Sequence, residues 1–306
     1  MRTAVVSALA GAALIGAASC AGRHAPGSAA GFNLLLVTLD TVRADHVGAY
    51  GDRSAETPNL DRLASEGIRF AQASAPVPLT LPSHASILSG LLPPQHGLRN
   101  NGTGRFPEGA PTLAAALHAA GYRTGAFVGA FVLDHRYGLA RGFDRYDDDI
   151  PRDAVAGLDA RRPGRAVVDR ALGWLEEDAT TPFFLWVHLY DAHAPYAPPQ
   201  PFATRFAERP YDGGIAELDV QVGRLLAELD ARGSSARTVV AVVGDHGEAL
   251  GEHGELTHGL LVYEPSLRVP LIARAPGVLR SGRVVRTPVG TTRDRKSTRL
   301  NSSHWS

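Results

Sequence analysis

Cysteine is almost absent from this sequence of 306 residues, in which Cys20 is the only one. An internal disulfide is therefore excluded, and disulfides contribute nothing to the stability of the chain. Net charge is absent as well, because 31 Lys and Arg residues balance 31 Asp and Glu residues. Nothing in this charge balance suggests a surface for an acidic partner, and we expect no nucleic acid as a partner. Internal repeats and low-complexity blocks are also missing from the sequence after its N-terminal segment.

Long apolar runs are missing too, apart from a short one at the N-terminus. The Ala-rich run from Val5 to Ala18 is shorter than a stable membrane-spanning helix. Together with the positive charge before it, the run predicts an export signal over residues 1–20. Cys20 directly follows small residues, as the lipidated cysteine of bacterial lipoproteins does, although Ala17 stands where a larger aliphatic residue is usual. We expect an exported protein, periplasmic or anchored in the outer membrane of a bacterium through a lipid on Cys20, with ordinary signal cleavage as the alternative.

Lysine is the other scarce residue, since Lys296 is the only one in the chain. It lies in a segment, residues 294–304, that is richer in Asn and Ser than its surroundings. This segment resembles the translation of a sequencing-library adapter, with a natural polar tail as the alternative. We therefore interpret residues 293–306 as a non-native tail, residues 21–31 as a linker and residues 32–292 as the folded domain, truncated at its C-terminus.

Three continuous apolar segments have the length of strands: Phe32–Thr38, Phe183–Val187 and Thr238–Val243. Runs that are apolar on both faces are typical of the buried strands of a parallel sheet. Helical patterns lie between them, one beginning at the predicted cap Thr57 and another following the apolar stripe from Ile215 to Leu229. Strands that alternate with helices predict an α/β fold with a mostly parallel central sheet flanked by helices on both faces.

Polar residues follow each of the three apolar segments. They are Asp40 after the first, His188, Asp191 and His193 after the second, and Asp245 and His246 after the third. In open parallel sheets, ligands bind outside the carboxyl ends of the strands. The pattern therefore predicts a single polar site at one edge of the sheet.

The segment from Pro78 to Gly90 predicts a hydroxyl at the start of a helix. Pro82 has its φ preset for the first helical turn, and Gly90 can supply the left-handed residue that ends the helix. Thr80 is thus expected just before the N-terminus, where free amides and the helix dipole favour an anion. This position suits a nucleophile that attacks a sulfate or phosphate ester. The alternative is that Thr80 simply caps the helix.

Four of these side chains offer oxygen and nitrogen donors for a divalent cation such as Ca, Mn, Zn or Mg: Asp40, Thr80, Asp245 and His246. Coordination would lower the pKa of the hydroxyl and make it a nucleophile near neutral pH. The cation would also offset charge that develops on the ester. His193 and His258 are candidates to bind the remaining ester oxygens or to protonate the leaving group. The alternative for the Asp-His-Gly sequence is an ordinary turn after a strand.

Six stretches, in consistent order, resemble the sulfatase family of the alkaline phosphatase superfamily: Asn33–Asp45, Thr57–Asp61, Pro82–Ser83, Asp191–Tyr196, Gly244–Glu248 and Ser266–Pro270. The resemblance covers roughly residues 32–289. It implies the central sheet of that superfamily and hydrolysis of a sulfate or phosphate ester at a divalent metal ion. It also implies that Asp40, Asp245 and His246 are metal ligands, that Thr80 occupies the nucleophile position, and that His193 contacts the substrate.

The sequence departs from the sulfatase pattern at several of the implied site positions. Thr80 stands where sulfatases have the Cys or Ser that becomes formylglycine, and a threonine, with its methyl group on Cβ, cannot form that aldehyde. His84 stands where Arg is typical, and Thr41 replaces a second metal-binding Asp. His258 stands about where a substrate-binding Lys is expected. We therefore expect no formylglycine, and a catalytic set of Thr80, His84, His193 and His258 that favours a phosphate diester.

The leading hypothesis is thus a metal-dependent hydrolase of a small-molecule, glycan-linked or lipid-linked ester. One alternative is a transferase of the phosphoethanolamine type, which would pass a group from Thr80 to an acceptor other than water. The other is a non-catalytic envelope lipoprotein that keeps the fold, against which the joint presence of Asp40, Thr80, Asp245 and His246 argues. Because the family usually continues with a further helix and a smaller sheet, we also expect exposed apolar surface where that part would pack.

Overall fold

The computed structural model describes residue 29, residues 31–151 and residues 157–292. The predicted export signal over residues 1–20 with Cys20, nearly all of the linker and the tail over residues 293–306 lie outside the described residues.

The described part of the chain alternates between strands and helices over most of its length. The strands are β1 (Asn33–Leu39), β2 (Ile68–Phe70), β3 (Ala73–Ser74), β4 (Arg123–Phe127), β5 (Arg145–Asp147), β6 (Phe183–Leu189), β7 (Thr238–Gly244), β8 (Arg268–Val269), β9 (Leu271–Arg274), β10 (Arg283–Val285) and β11 (Val289–Gly290). The α-helices are α1 (Pro58–Glu66), α2 (Thr80–Ser89), α3 (Pro93–His96), α4 (Leu113–Ala119), α5 (Gly164–Glu177), α6 (Phe202–Arg205), α7 (Pro210–Ala231) and α8 (Glu264–Leu267). Each of the three apolar segments forms a strand, as predicted.

The central sheet has eight strands in the order β10-β2-β9-β7-β1-β6-β4-β5. Strand β9 runs antiparallel to both of its neighbours, β7 and β2. The other described pairings in this sheet are parallel, which confirms the predicted mostly parallel sheet. A small second sheet pairs β11, β3 and β8.

Helices cover both faces of the central sheet. On one face, alternate β1 residues such as Leu35 and Val37 pack with apolar residues of α1, α5 and α7. On the other face, Leu36 and Trp186 pack with apolar residues of α2 and α4. Burial on both faces explains why the central strands are apolar without alternation.

The start of α1 differs from the prediction in its capping. Thr57 precedes the helix, but its hydroxyl does not cap the helix backbone. The hydroxyl instead accepts a hydrogen bond from the Gly48 amide at 2.9 Å. Thr57 therefore ties the loop after β1 to the helix.

Exposed apolar side chains cluster on the segment that carries His258. Leu256, Leu260 and Val262 expose 79%, 86% and 71% of their surface. Both carboxylate oxygens of Glu255 accept backbone amides from this segment, which fastens its turn. Among the described residues, no helix is both long and apolar enough to cross a membrane.

Candidate metal and nucleophile site

Two buried carboxylates lie side by side at the carboxyl ends of neighbouring strands. Strands β1 and β7 are parallel neighbours in which Leu39 pairs with Gly244, so Asp40 and Asp245 follow at the same level. The Asp245 amide donates to the Leu39 carbonyl at 3.1 Å, and the Asp40 amide donates to the Leu189 carbonyl at 2.9 Å. Ligand atoms of Asp40, Asp245 and His246 all lie within 4.8 Å of one another, and all three residues are fully buried. The structure therefore brings together the three predicted metal ligands.

Each of these carboxylates has one oxygen that lacks a hydrogen-bond partner within the described residues. The two atoms are Asp40 Oδ1 and Asp245 Oδ2, and both are buried. Burial raises the pKa of Asp40, although the nearby His193, His84 and His258 lower it. Burial, together with the charge of Asp40, raises the pKa of Asp245 well above its ordinary value. Because buried unpaired carboxylates are costly, a divalent cation beside these two oxygens fits the residues present.

His246 presents a nitrogen lone pair to the same place. Its Nδ1–H donates to the Gly247 carbonyl at 2.9 Å, which leaves Nε2 without a proton. Burial lowers the pKa of His246 well below its ordinary value, so that the ring is neutral. A neutral imidazole with one nitrogen fixed by a carbonyl is the usual form of a metal-ligating histidine.

Thr80 is the first residue of α2 and not, as predicted, the residue before the helix. Leu79 takes the capping position in an extended conformation, with φ −147° and ψ 132°. The Thr80 hydroxyl does not cap the helix; its Oγ1 lies 3.3 Å from His246 Nε2. The side chain is therefore directed into the polar site at the end of the strands.

The start of α2 is fastened to its surroundings by two further hydrogen bonds. The Ser83 hydroxyl donates to the Asp245 carbonyl at 2.6 Å. The Leu81 amide donates to Asn101 Oδ1 at 2.9 Å. Asn101 thus takes one of the free amides at the helix N-terminus, and nothing in the sequence pattern pointed to it.

His188 orients the Asp40 carboxylate through a hydrogen bond, a role that the strand-end pattern did not assign. The Gly129 amide donates to His188 Nδ1 at 3.3 Å, so the ring proton is on Nε2. Nε2–H donates to Asp40 Oδ2 at 3.1 Å. Since His188 lies within β6, it orients a carboxylate on the neighbouring strand β1.

His193 and His258 lie together on the open side of the site. Their ring centroids are 5.0 Å apart, and the His258 ring is 4.4 Å from the His246 ring. Both line an open cavity of about 360 Å³ with Asn101, Val132, Leu158, Tyr190, Ala194, Pro195 and Thr257. A substrate in this cavity would contact both histidines.

Glu248 supports His258 from inside the protein. Its Oε1 lies 3.1 Å from His258 Nδ1, and the carboxylate is fully buried. Burial alone would lower the pKa of His258, but the hydrogen bond to Glu248 and the charges of Glu248, Asp40 and Glu255 together raise it. Glu248 belongs to the Gly244–Glu248 stretch, so its position in the sequence was a usable signal for a role at the site.

Three residues that the sequence placed at the site have other partners. His84 is fully buried, with Nδ1 2.7 Å from the Thr80 carbonyl and Nε2 2.9 Å from Thr38 Oγ1, so it does not reach the cavity. Asp191 accepts the Gly164 amide at 2.9 Å and so caps α5. Thr41 donates its hydroxyl to the Asp40 carbonyl at 2.7 Å.

Close packing and backbone strain explain where Asp191 and Thr41 lie. A Cβ atom on residue 164 would lie 2.4 Å from Asp191 Oδ2, so only glycine permits this cap. Thr41 has a φ of 58°, which is strained for a β-branched residue. The strain falls directly beside Asp40, where the chain turns away from the sheet.

Comparison with known proteins identifies a family model and several relatives that are similar to this chain. A family model described as Sulfatase matches residues 33–302, and so overlaps the predicted non-native tail, which stays a prediction. The N-acetylgalactosamine-6-sulfatase of Canis lupus familiaris is 30% identical over 335 residues, which cover 92% of this chain and 64% of that protein. The steryl-sulfatase of Mus musculus is 26% identical over 371 residues, which cover 84% of this chain and 59% of that protein. The chain thus spans less than two thirds of the length of these relatives.

Solved structures share the fold. The phosphonate monoester hydrolase of Agrobacterium radiobacter matches with a TM-score of 0.74 and 22% identity, over 85% of this chain and 71% of that chain. A protein solved with its substrate D-glucosamine-2-N,6-O-disulfate matches with a TM-score of 0.73 and 20% identity, over 85% of this chain and 74% of that chain. At these identities the likeness concerns the architecture alone.

Proposed function

This chain belongs to the sulfatase family, and from that premise we propose that it is a divalent-metal-dependent hydrolase of phosphate esters, with diesters preferred and Thr80 as the nucleophile. The observation that carries the proposal is the position of Thr80 Oγ1. It lies at the start of α2, 3.3 Å from His246 Nε2. A hydroxyl that only stabilised the helix would bond to the helix backbone instead.

Threonine at position 80 is incompatible with the aldehyde chemistry of true sulfatases. The Cβ of threonine carries a methyl group, so that oxidation cannot produce formylglycine there. Without the aldehyde hydrate, the protein lacks the second hydroxyl that expels sulfate in true sulfatases. Direct attack by the hydroxyl suits phosphorus, where positioning and neutralisation of charge supply most of the catalysis.

Asp40, Asp245 and His246 would hold the divalent cation, with Thr80 beside it. When bound, the cation lowers the pKa of a neighbouring hydroxyl and neutralises charge on the ester. His188 keeps the Asp40 carboxylate in place through the hydrogen bond to Oδ2. The Gly247 carbonyl keeps the lone pair of His246 on Nε2.

The remaining steps fall to Thr80 and His258. Ionised Thr80 Oγ1, having released its proton to solvent, attacks phosphorus, the bond to one alcohol oxygen breaks, and a threonine phosphodiester remains. His258, whose pKa Glu248 raises, gives a proton to the departing alcohol. Water then attacks the same phosphorus and breaks the bond to Thr80, which releases a phosphate monoester.

The charge of the cavity favours diesters over phosphate monoesters. Among the described residues that line it, none is Lys or Arg, and two are histidines. The nearby Arg161 guanidinium donates to the carbonyls of His193 and Ala194, which holds it along the backbone. A diester carries one negative charge where a monoester near neutral pH carries about two, so a weakly cationic cavity suits the diester.

A substrate panel tests this proposal. The protein would be freed of metal, reloaded separately with Mn, Zn, Ca or Mg, and assayed on bis(4-nitrophenyl) phosphate, 4-nitrophenyl phosphate, a phenylphosphonate monoester and 4-nitrophenyl sulfate. We expect the highest kcat/KM on the diester and no turnover without metal. A preference for the sulfate ester, or equal turnover by metal-free protein, would remove the basis of the proposal.

We also propose that the protein is exported and carries a lipid on Cys20. The support is the export-signal pattern that ends at this cysteine. Labelling with radioactive palmitate in a bacterial host should mark the protein and leave a Cys20→Ser variant unlabelled. An unlabelled wild-type protein in the periplasm would indicate ordinary cleavage.

A further inference from the structure

His84 has a defined proton arrangement in the structure. Its Nδ1 lies 2.7 Å from the Thr80 carbonyl oxygen, and a carbonyl only accepts, so Nδ1 carries the proton. Its Nε2, 2.9 Å from Thr38 Oγ1, then accepts the proton of the Thr38 hydroxyl. The residue is fully buried, and neither nitrogen is left for a ligand.

Trp186 fixes the direction of the Thr38 hydroxyl. The indole Nε1–H lies 3.0 Å from Thr38 Oγ1, and an indole nitrogen only donates. Thr38 therefore receives that bond and gives its own proton to His84. The result is one directed series of hydrogen bonds that runs from Trp186 through Thr38 and His84 to the carbonyl of Thr80.

The series ends on the residue that matters most for the proposed reaction. The Thr80 carbonyl belongs to the first residue of α2, and the hydroxyl of the same residue lies 3.3 Å from His246. A bond to the carbonyl holds the backbone of that residue in place, and the backbone sets the position of the Cα–Cβ bond that carries Oγ1. The Ser83 hydroxyl, bonded to the Asp245 carbonyl, fastens the same turn from the other side.

We infer that His84 is a positioning residue, which holds Thr80 for attack through the Trp186–Thr38–His84 series and makes no contact with the substrate. The inference rests on the proposed function in so far as it takes Thr80 as the nucleophile. The neighbouring His188 supplies an internal reference, because its ring lies edge-on to that of His84 at 4.8 Å and uses the opposite tautomer. His84 thus bonds to the nucleophile residue and His188 to the metal ligand Asp40, and His84 Nδ1 also lies 3.5 Å from Asp245 Oδ2.

Histidine tautomers measured by NMR test the inference without any substrate. Protein labelled with ¹⁵N in histidine would be recorded at neutral pH, with signals assigned through His84→Gln and His188→Gln variants. We expect the Nδ1–H tautomer for His84 and the Nε2–H tautomer for His188. Thr38→Val, which removes the hydroxyl at nearly constant shape, should shift the His84 signals and leave those of His188 in place. An Nε2–H or doubly protonated His84 in the wild-type protein would overturn the inference.

Steady-state kinetics on bis(4-nitrophenyl) phosphate separates positioning from substrate binding. Asparagine places an amide N–H where His84 Nδ1 lies, whereas glutamine reaches Thr38 and leaves the Thr80 carbonyl with only its backbone hydrogen bond within α2. We expect His84→Gln and Thr38→Val to lower kcat about 10- to 100-fold with KM within about twofold, and His84→Asn to recover part of that loss. A raised KM with kcat preserved would assign His84 to substrate binding and contradict the inference.

A matched control is available on the adjoining segment. His96 is also buried with both nitrogens engaged, by Ser86 Oγ at 3.0 Å and the Leu98 amide at 3.2 Å. His96→Gln should leave kcat within about threefold, and a loss equal to that of His84→Gln would show a general packing defect and refute a specific role. If the wild-type protein turned over no phosphate ester, the proposed function would fail. The histidine tautomers measured by NMR would still test whether the Trp186–Thr38–His84 hydrogen bonds exist.

Discussion

The Glu248 carboxylate lies 3.1 Å from Nδ1 of His258, so that a fully buried acid supports the histidine on the open side of the site. The contact orients the ring and raises the pKa of His258 against the effect of burial. A histidine held in this way suits proton donation to a departing alcohol.

Glu248→Gln should therefore weaken the proton donor more than the nucleophile. We expect kcat on an alkyl phosphate diester, whose alcohol needs a proton, to fall about 10- to 100-fold. The loss on bis(4-nitrophenyl) phosphate should be smaller, because 4-nitrophenolate departs without a proton. Glu252→Gln, which changes a half-exposed carboxylate that pairs with Arg43, is the control. Equal losses on both substrates would argue against proton donation by His258.

Metal binding should stabilise the protein through Asp40, Asp245 and His246. A cation at about 100 times its Kd stabilises a folded protein by about 2.7 kcal/mol, which thermal unfolding with and without chelator would detect as a shift in Tm. Asp40→Asn should abolish most of that shift.

A second cluster with metal-ligand spacing provides the control for this experiment. In the group Asp134, His135 and Asp148, only His135 is exposed, Asp134 is buried, and Arg136 already pairs with Asp134 at 2.9 Å. Asp148→Asn should leave the metal-dependent Tm shift unchanged. A shift that survives Asp40→Asn and disappears in Asp148→Asn would place the metal in the wrong cluster for the proposed function.

The stability of the protein should depend on pH through Asp191. Burial raises its pKa from the ordinary 3.8 to about 6, so the native state holds this proton more tightly than the unfolded chain. The stability that comes from this proton is complete below about pH 4 and is lost as the pH rises through 6.

Asp191→Asn keeps an oxygen for the Gly164 amide and removes the charge, so the variant should lack this pH dependence. Relative to wild type, its free energy of unfolding should be nearly unchanged at pH 4 and about 1–3 kcal/mol higher at pH 7. Urea denaturation at both pH values would measure the difference. A variant destabilised equally at both would show that the carboxylate acts chiefly as a cap of α5.

The central sheet and most of the site followed from patterns local to the sequence. Strands β1, β6 and β7 are apolar throughout because both faces are covered, and that pattern needs no knowledge of tertiary structure. Asp40 and Asp245 follow two of these strands directly, and parallel pairing brings such positions to one edge. These features were predictable because they depend on chain direction and burial alone.

The contacts of His84 and Asp191 were not predictable in the same way. His84 follows Thr80 by four residues, but whether its side chain meets the cavity or the sheet depends on how α2 docks against β1. Asp191 and His193 are two residues apart, yet the turn after β6 sends one to the N-terminus of α5 and the other to the cavity. Such differences arise from tertiary packing, which spacing along the chain does not encode.

The most direct test of the account is to trap the covalent product of attack by Thr80. Metal-loaded protein turning over bis(4-nitrophenyl) phosphate would be quenched in acid, digested and analysed by mass spectrometry, with fragmentation to distinguish Thr80 from Ser83 in the same peptide. We predict a 4-nitrophenyl phosphate group on Thr80 in the wild-type protein, and its absence, with at least about a 1,000-fold loss of turnover, in Thr80→Val that still binds metal. Turnover that persists in Thr80→Val, or an adduct on another residue, would contradict Thr80 as the nucleophile.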